Sequence, residues 1–118
     1  MNLFQLIAAA PAATALLGAA PTRFFEFGTA PVLEQVPYAT WQELQGSPFN
    51  LVEGGAPADM VKAQIDVWGN TAQETRDVSA AIRRAIEAHG TVTFYQNTWD
   101  EPSRLYRCTI HYNYKKDA

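Results

Sequence analysis

The clearest pattern in the chain is an alternation. Val61, Ala63, Ile65 and Val67 alternate with Lys62, Gln64, Asp66 and Trp68, the two-residue period of a strand with one buried and one polar face. Gly69 and Asn70 end it, and the period then changes. Thr71 opens a helix with Glu74 three residues on, a capping-box spacing in which the carboxylate would return a bond to the Thr71 amide. Val78, Ile82, Ala85 and Ile86 make its apolar stripe, and Gln73, Asp77, Arg84 and Glu87 fall on the solvent side. Gly90, after His89, stops it.

Alternation returns after Gly90. Thr91 to Trp99 sets Val92 and Phe94 against Thr93 and Tyr95, and Asp100 to Ser103 reads as a turn. In the last strand Tyr106, Cys108, Ile110 and Tyr112 share one face, and Arg107, Thr109, His111 and Asn113 share the other. These two strands predict a hairpin.

Upstream the signals are shorter. Thr22 to Phe27 is a brief aromatic strand, and Pro37 to Leu44 is a second extended segment in which Tyr38, Thr40 and Leu44 alternate with Ala39, Trp41 and Glu43. Residues 46–58 read as one long loop, with glycines, Pro48 and Pro57 around an apolar centre at Phe49, Leu51 and Val52. Apolar side chains at a loop tip are costly to leave in water, so a partner is expected to cover them.

The first twenty residues are small and apolar enough to resemble a signal peptide or a membrane span. Against both stand the lack of any Lys or Arg before Arg23 and the interruption at Pro11. Two short helices fit better, one capped by Asn2, the other opened by Pro11 and closed by Gly18, laying Leu3, Phe4, Leu6, Ile7, Leu16 and Leu17 on the domain. The fold class that follows is α+β, a single domain over residues 1–118. It is a largely antiparallel β-sheet with one main α-helix packed on a face, preceded by one or two short N-terminal helices.

Composition narrows the function. The 118 residues are 47% hydrophobic, too apolar for disorder, and carry a formal charge of -3, which disfavours a domain that binds by neutralising phosphates. Residues 1–58 hold Glu26, Glu34, Glu43 and Glu53 against Arg23 alone, so the whole net charge belongs to that half. The single cysteine, Cys108, can form no internal disulfide and reads as a small buried hydrophobe.

Reactive chemistry is hard to assemble. His89 and His111 lack companion ligands for a metal, so no metal or cofactor is expected. His111 with Asp66 or Glu43 would make an acid/base pair only if neighbouring strands aligned them, and a solvated histidine is the plainer reading. Gly54 and Gly55 lack the lysine and the strand-to-helix setting of a phosphate loop. The aromatics Trp41, Trp68, Trp99, Tyr95 and Tyr114 suit a protein interface better than base stacking, which needs a basic groove. Trp68, on the polar face of its strand, expects cover from another element or subunit.

Taken in order, "APAATALLG", "RFFEF", "APVLEQVPYATWQ", "GSPFNLVEG", "QIDVWGNTAQETRDVSAAIRRAIEAHG" and a tyrosine-rich last strand resemble the small tail-completion or tail-terminator proteins of long-tailed bacteriophages. The resemblance covers nearly the whole chain, and its most specific piece is the strand-to-helix join from Gln64 to Glu74 with Val78 and Ile82. It implies a non-enzymatic virion protein of the tail neck, assembled in the host cytoplasm. Such a protein forms a homo-oligomeric, six-fold ring on the tail tube, ends tube polymerisation and meets the head-completion or connector protein. DNA would pass through as cargo and no membrane is involved.

On that reading the ring and partner contacts are expected at Phe49, Leu51, Val52, Trp68 and Trp41, and Glu34, Glu43 and Glu53 are candidates to line a DNA passage by charge repulsion. Two rival readings stand beside it. One is a secreted or periplasmic binding domain with a cleaved N-terminal segment; the other is a hydrolase using His111.

Overall fold

The computed structural model describes residues 2–26, 35–49 and 58–117. Two helices, α1 (Leu3–Ala8) and α2 (Pro11–Leu17), are followed by strands β1 (Phe24–Glu26), β2 (Tyr38–Phe49) and β3 (Ala58–Gly69). Helix α3 (Ala72–Ile86) ends in a 3-10 turn at Glu87–His89 and leads into β4 (Gly90–Asp100) and β5 (Leu105–Asp117). The five strands form one sheet in the order β1-β2-β3-β5-β4. Only the short β1 runs parallel to its neighbour. This is the expected α+β architecture.

The strand alternation becomes the core directly. Val61, Ala63, Ile65 and Val67 are buried, beside Cys108, Ile110 and Tyr112 of β5, with Val78, Ile82 and Ile86 of α3 packed over them. Gln73, Asp77, Arg84 and Glu87 are exposed, as the helical period requires. At the helix start the Glu74 amide donates to Thr71 Oγ1 at 3.0 Å. The return bond differs from expectation: the Glu74 carboxylate accepts from the Asn70 amide at 2.9 Å, one residue before the cap.

The first two helices are part of the core. Asn2 caps α1 through a complete capping box with Gln5, and Pro11 occupies the first turn of α2. Gly18 ends α2 with φ 87°, a conformation that favours glycine. Leu3, Ile7, Ala13 and Leu17 are all buried, so removing this segment would strip four core side chains. Phe4 and Leu16, expected on the domain, instead point outward at 41% and 37% exposure, because each short helix buries only one narrow stripe.

Two departures concern the strands. Strand β2 does not stop at Leu44 but continues to Phe49, with Gly46↔Val61 and Phe49↔Ala58 paired after a bulge between Glu43 and Gln45. The expected loop over 46–58 therefore begins as strand. In β4 a bulge between Val92 and Phe94 places Val92 opposite Tyr112 but Phe94 opposite His111. Val92 and Phe94 then lie on opposite faces, because one inserted residue inverts the alternation.

At the junction of helix and hairpin, the Tyr112 hydroxyl donates to the Ile86 carbonyl at 2.7 Å, satisfying one of the carbonyls a helix end leaves open. Gly90 makes the approach possible, since a Cβ there would lie 2.6 Å from the Tyr112 hydroxyl oxygen and 2.5 Å from the Asn113 carbonyl oxygen.

Candidate interaction surfaces

All three helices pack on one face of the sheet, so the opposite face lies uncovered among the described residues. Pairing register places Phe25 of β1, Tyr38 of β2, Trp68 of β3 and Arg107 of β5 on that open face. They form a continuous stack across four strands. Phe25 meets Tyr38 with ring centroids 6.4 Å apart, Tyr38 stacks on Trp68 at 6.3 Å, and the Arg107 guanidinium lies 5.0 Å from the Trp68 ring centre.

Asp66 anchors this stack. Its Oδ1 accepts from Arg107 Nε at 3.0 Å and Thr109 Oγ1 at 2.8 Å, with Arg107 NH2 also at 3.0 Å, and its Oδ2 accepts from Gln64 Nε2 at 2.9 Å. The carboxylate is buried, yet its charge is compensated by the Arg107 guanidinium, whose Nε and NH2 both reach Oδ1. Arg107 is thereby held over the Trp68 ring. A shallow cavity of about 250 Å³ lined by Thr40, Gln64, Asp66, Trp68 and Arg107 lies over the network. Tyr, Trp and Arg together are the side chains that dominate binding energy at protein interfaces.

The expected contact residues separate. Trp68 is half-buried on the open face, whereas Trp41 pairs with Ile65 on the helix side and stacks on Phe24 at 6.4 Å, against the core. Phe49 ends β2, paired with Ala58. Leu51, Val52, Glu34 and Glu53 lie outside the described residues. Glu43 is exposed on the helix side and accepts from the Tyr114 hydroxyl at 3.1 Å. Burial and that carboxylate push the Tyr114 phenol well above its ordinary pKa.

His111 and Asp66 do not pair. The imidazole packs against Phe94 with centroids 5.1 Å apart, and Asp66 is engaged by Arg107, Thr109 and Gln64. Cys108 is buried with its Sγ 3.1 Å from Ser79 Oγ, and burial pushes its thiol pKa up. It is a packed side chain, as its strand position suggested.

A second uncovered region lies at the sheet edge. Strand β4 is the last in the order, and its Phe94, Tyr95 and Trp99 are 44%, 51% and 46% exposed. Tyr95 and Trp99 are interface candidates by residue type, but nothing local in the sequence shows that their strand is an edge. Between β4, β5 and the start of α3 lies a cleft of about 250 Å³ lined by Ala72, Thr75, Arg76, Asn97, Trp99 and Tyr106.

Among the described residues one sheet face and one edge strand are lined by uncovered aromatic side chains, and no group of metal-ligating side chains is found. Comparison with known proteins supplies the family. The family described as Tail completion protein gp17 matches residues 1–114, so the chain belongs to it and is a structural protein of the phage tail. Among solved structures the chain is similar to one from the "Virion of native gene transfer agent (GTA) particle", with TM-score 0.73 and 12% identity over 98% of this chain and 92% of that one. At that identity the likeness establishes the fold. A search of the curated proteins found no match.

Proposed function

We propose that this tail-completion protein forms a ring, six copies in the reading adopted here, at the head-proximal end of the tail tube. There it ends tube polymerisation and offers the surface on which the head connector docks, with no catalytic step. The observation that carries this is family membership over nearly the whole chain. Its support in the structure is the distribution of uncovered surface, with an aromatic and arginine stack on one face and exposed aromatics along one edge. Rings need such unlike patches, since each copy meets the next through two different surfaces.

In this reading Phe49, Leu51, Val52 and Trp68 contact a neighbouring copy or the tube, with Trp41 supporting β2 from the helix side. Glu34, Glu43 and Glu53 face the DNA passage, where like charge keeps the genome from adhering. The rival reading of a secreted domain that loses its N-terminal segment would forfeit Leu3, Ile7, Ala13 and Leu17 from the core. The test replaces Phe49, Leu51 and Val52 together by Ser and adds the protein to polymerising tail tube subunits. Tubes that grow past the wild-type length support the reading; tubes arrested as by wild type contradict it.

A further inference from the structure

We infer that the cavity over Asp66 on the open face is a binding site for one neutral sugar ring. The site is separate from the ring reading and needs no second copy of the chain.

Three strands build it in three adjacent rows. Thr40 of β2 stands beside Asp66 of β3, Gln42 beside Gln64, and Trp68 beside Arg107 of β5. Residues two apart on a strand share a face, so all six side chains rise from the same side of the sheet. The volume they line, about 250 Å³, is below the roughly 300 Å³ at which pockets for drug-sized ligands begin, and it suits a single ring.

These side chains have hydrogen-bonding capacity left over. Asp66 is 8% exposed, and its two oxygens are unequally loaded: Oδ1 accepts from Arg107 Nε, Arg107 NH2 and Thr109 Oγ1, whereas Oδ2 accepts from Gln64 Nε2 alone. Each carboxylate oxygen has two lone pairs, so Oδ2 keeps a place for one more donor. Gln64 uses its NH2 group in that bond and keeps its carbonyl oxygen, and Arg107 uses Nε and NH2 and keeps NH1. The Thr40 hydroxyl and the Gln42 amide are half-buried and make no side-chain hydrogen bond among the described residues. Five groups with spare donors or acceptors therefore line one small cavity, and the Trp68 indole gives it an apolar side.

The lining selects the ligand. Asp66 and Arg107 are its only charged side chains, and at 3.0 Å each compensates the other. An added anion would face the carboxylate and an added cation the guanidinium, so the ligand is neutral. An apolar ligand would strand the spare polar groups beneath it. A hydroxyl donates and accepts at one atom, and a pyranose carries hydroxyls around a ring whose C–H groups are apolar. Such a ring can donate to Asp66 Oδ2 and the Gln64 carbonyl, accept from Arg107 NH1, do either with Thr40 and Gln42, and set its C–H groups against Trp68. A peptide group has one donor and one acceptor on separate atoms and leaves most of these groups unmet.

The experiment titrates the full-length chain with methyl β-glucoside, methyl α-mannoside and methyl N-acetyl-β-glucosaminide, following indole and side-chain amide signals by NMR. Sodium glucuronate and acetyl-diglycine amide serve as the anionic and peptide comparisons. At least one methyl glycoside should bind saturably with a Kd of about 1–10 mM and shift the signals of Trp68, Gln42 and Gln64. Thr40→Val and Gln42→Ala should each weaken that binding by about 3- to 10-fold at unchanged Tm, since each removes one hydrogen bond to the ligand. Three results overturn the site: no saturable shift with any glycoside up to about 100 mM, unchanged binding in the Thr40→Val, Gln42→Ala double variant, or tighter binding of glucuronate or the peptide. Trp68 is also among the contacts proposed for the ring, and the two readings fail separately. A chain that arrests tubes but binds no glycoside removes this site alone, whereas one that binds a glycoside but never arrests tubes removes the ring alone.

Discussion

Tyr112→Phe isolates a single hydrogen bond at the seam between helix and sheet. The side chain is 0% exposed and its hydroxyl is 2.7 Å from the Ile86 carbonyl oxygen, where α3 hands over to β4. Deleting the hydroxyl keeps the ring packing and leaves a buried carbonyl without a donor. A net hydrogen bond is worth about 1 kcal/mol and an orphaned buried acceptor adds to that, so the expected loss is about 1–2 kcal/mol. For a chain of this length each kcal/mol lowers Tm by about 3–5 °C. Urea denaturation should give a lower midpoint at unchanged slope, because the surface exposed on unfolding is the same. The same variant carries a pH signature. Burial raises the folded phenol above its ordinary value of 10.0, so its contribution is intact below pH 10 and is lost as pH rises through the folded pKa. Wild type should therefore lose stability above pH 10 by at most about 1.4 kcal/mol per pH unit for this phenol, and Tyr112→Phe should lose it less steeply. A variant within about 0.3 kcal/mol of wild type at pH 7, with the same alkaline profile, would refute the assignment of this bond as the tie between α3 and β5.

Other changes probe the remaining layers. Ile82→Asp buries a carboxylate at a site with 0% exposure and should yield no folded protein, checked by circular dichroism of the soluble fraction. Asp66→Ala should destabilise by about 1–3 kcal/mol and free Arg107 from Trp68, read as a red shift in tryptophan emission; Asp66→Asn should recover part of both. Cys108 should resist alkylation in the native protein at pH 8 and react at once in urea, since burial both hides the thiol and raises its pKa.

Much of this architecture is visible in the chain because its local signals agree with its packing. The alternation of Val61 to Val67 and the stripe of Val78, Ile82 and Ile86 each name their buried face without knowledge of any partner. The N-terminal helices were legible from Asn2, Pro11 and Gly18, although six apolar residues on two short helices could not all be buried. Strand β2 beyond Leu44 was hidden by Gly46 and Pro48, local breakers that pairing with β3 overrides. The bulge in β4 leaves no mark in composition, yet it decides that Phe94 joins His111 and that Tyr95 joins Arg83. The open-face network was out of reach for another reason. Asp66 and Arg107 are 41 residues apart, and only the register of β3 with β5 brings them together.

The Asp66 network and the β4 edge place uncovered aromatic surface on two sides of a small core, which suits the proposed role at the end of the tail tube. The most direct test of that role is electron microscopy of tail tube subunits polymerised with and without the purified chain, paired with native mass of the bound species. The account predicts tubes stopped at one end by a cap whose mass is six times 13.1 kDa, about 79 kDa. Tubes of unchanged length with no density added at either end would contradict it.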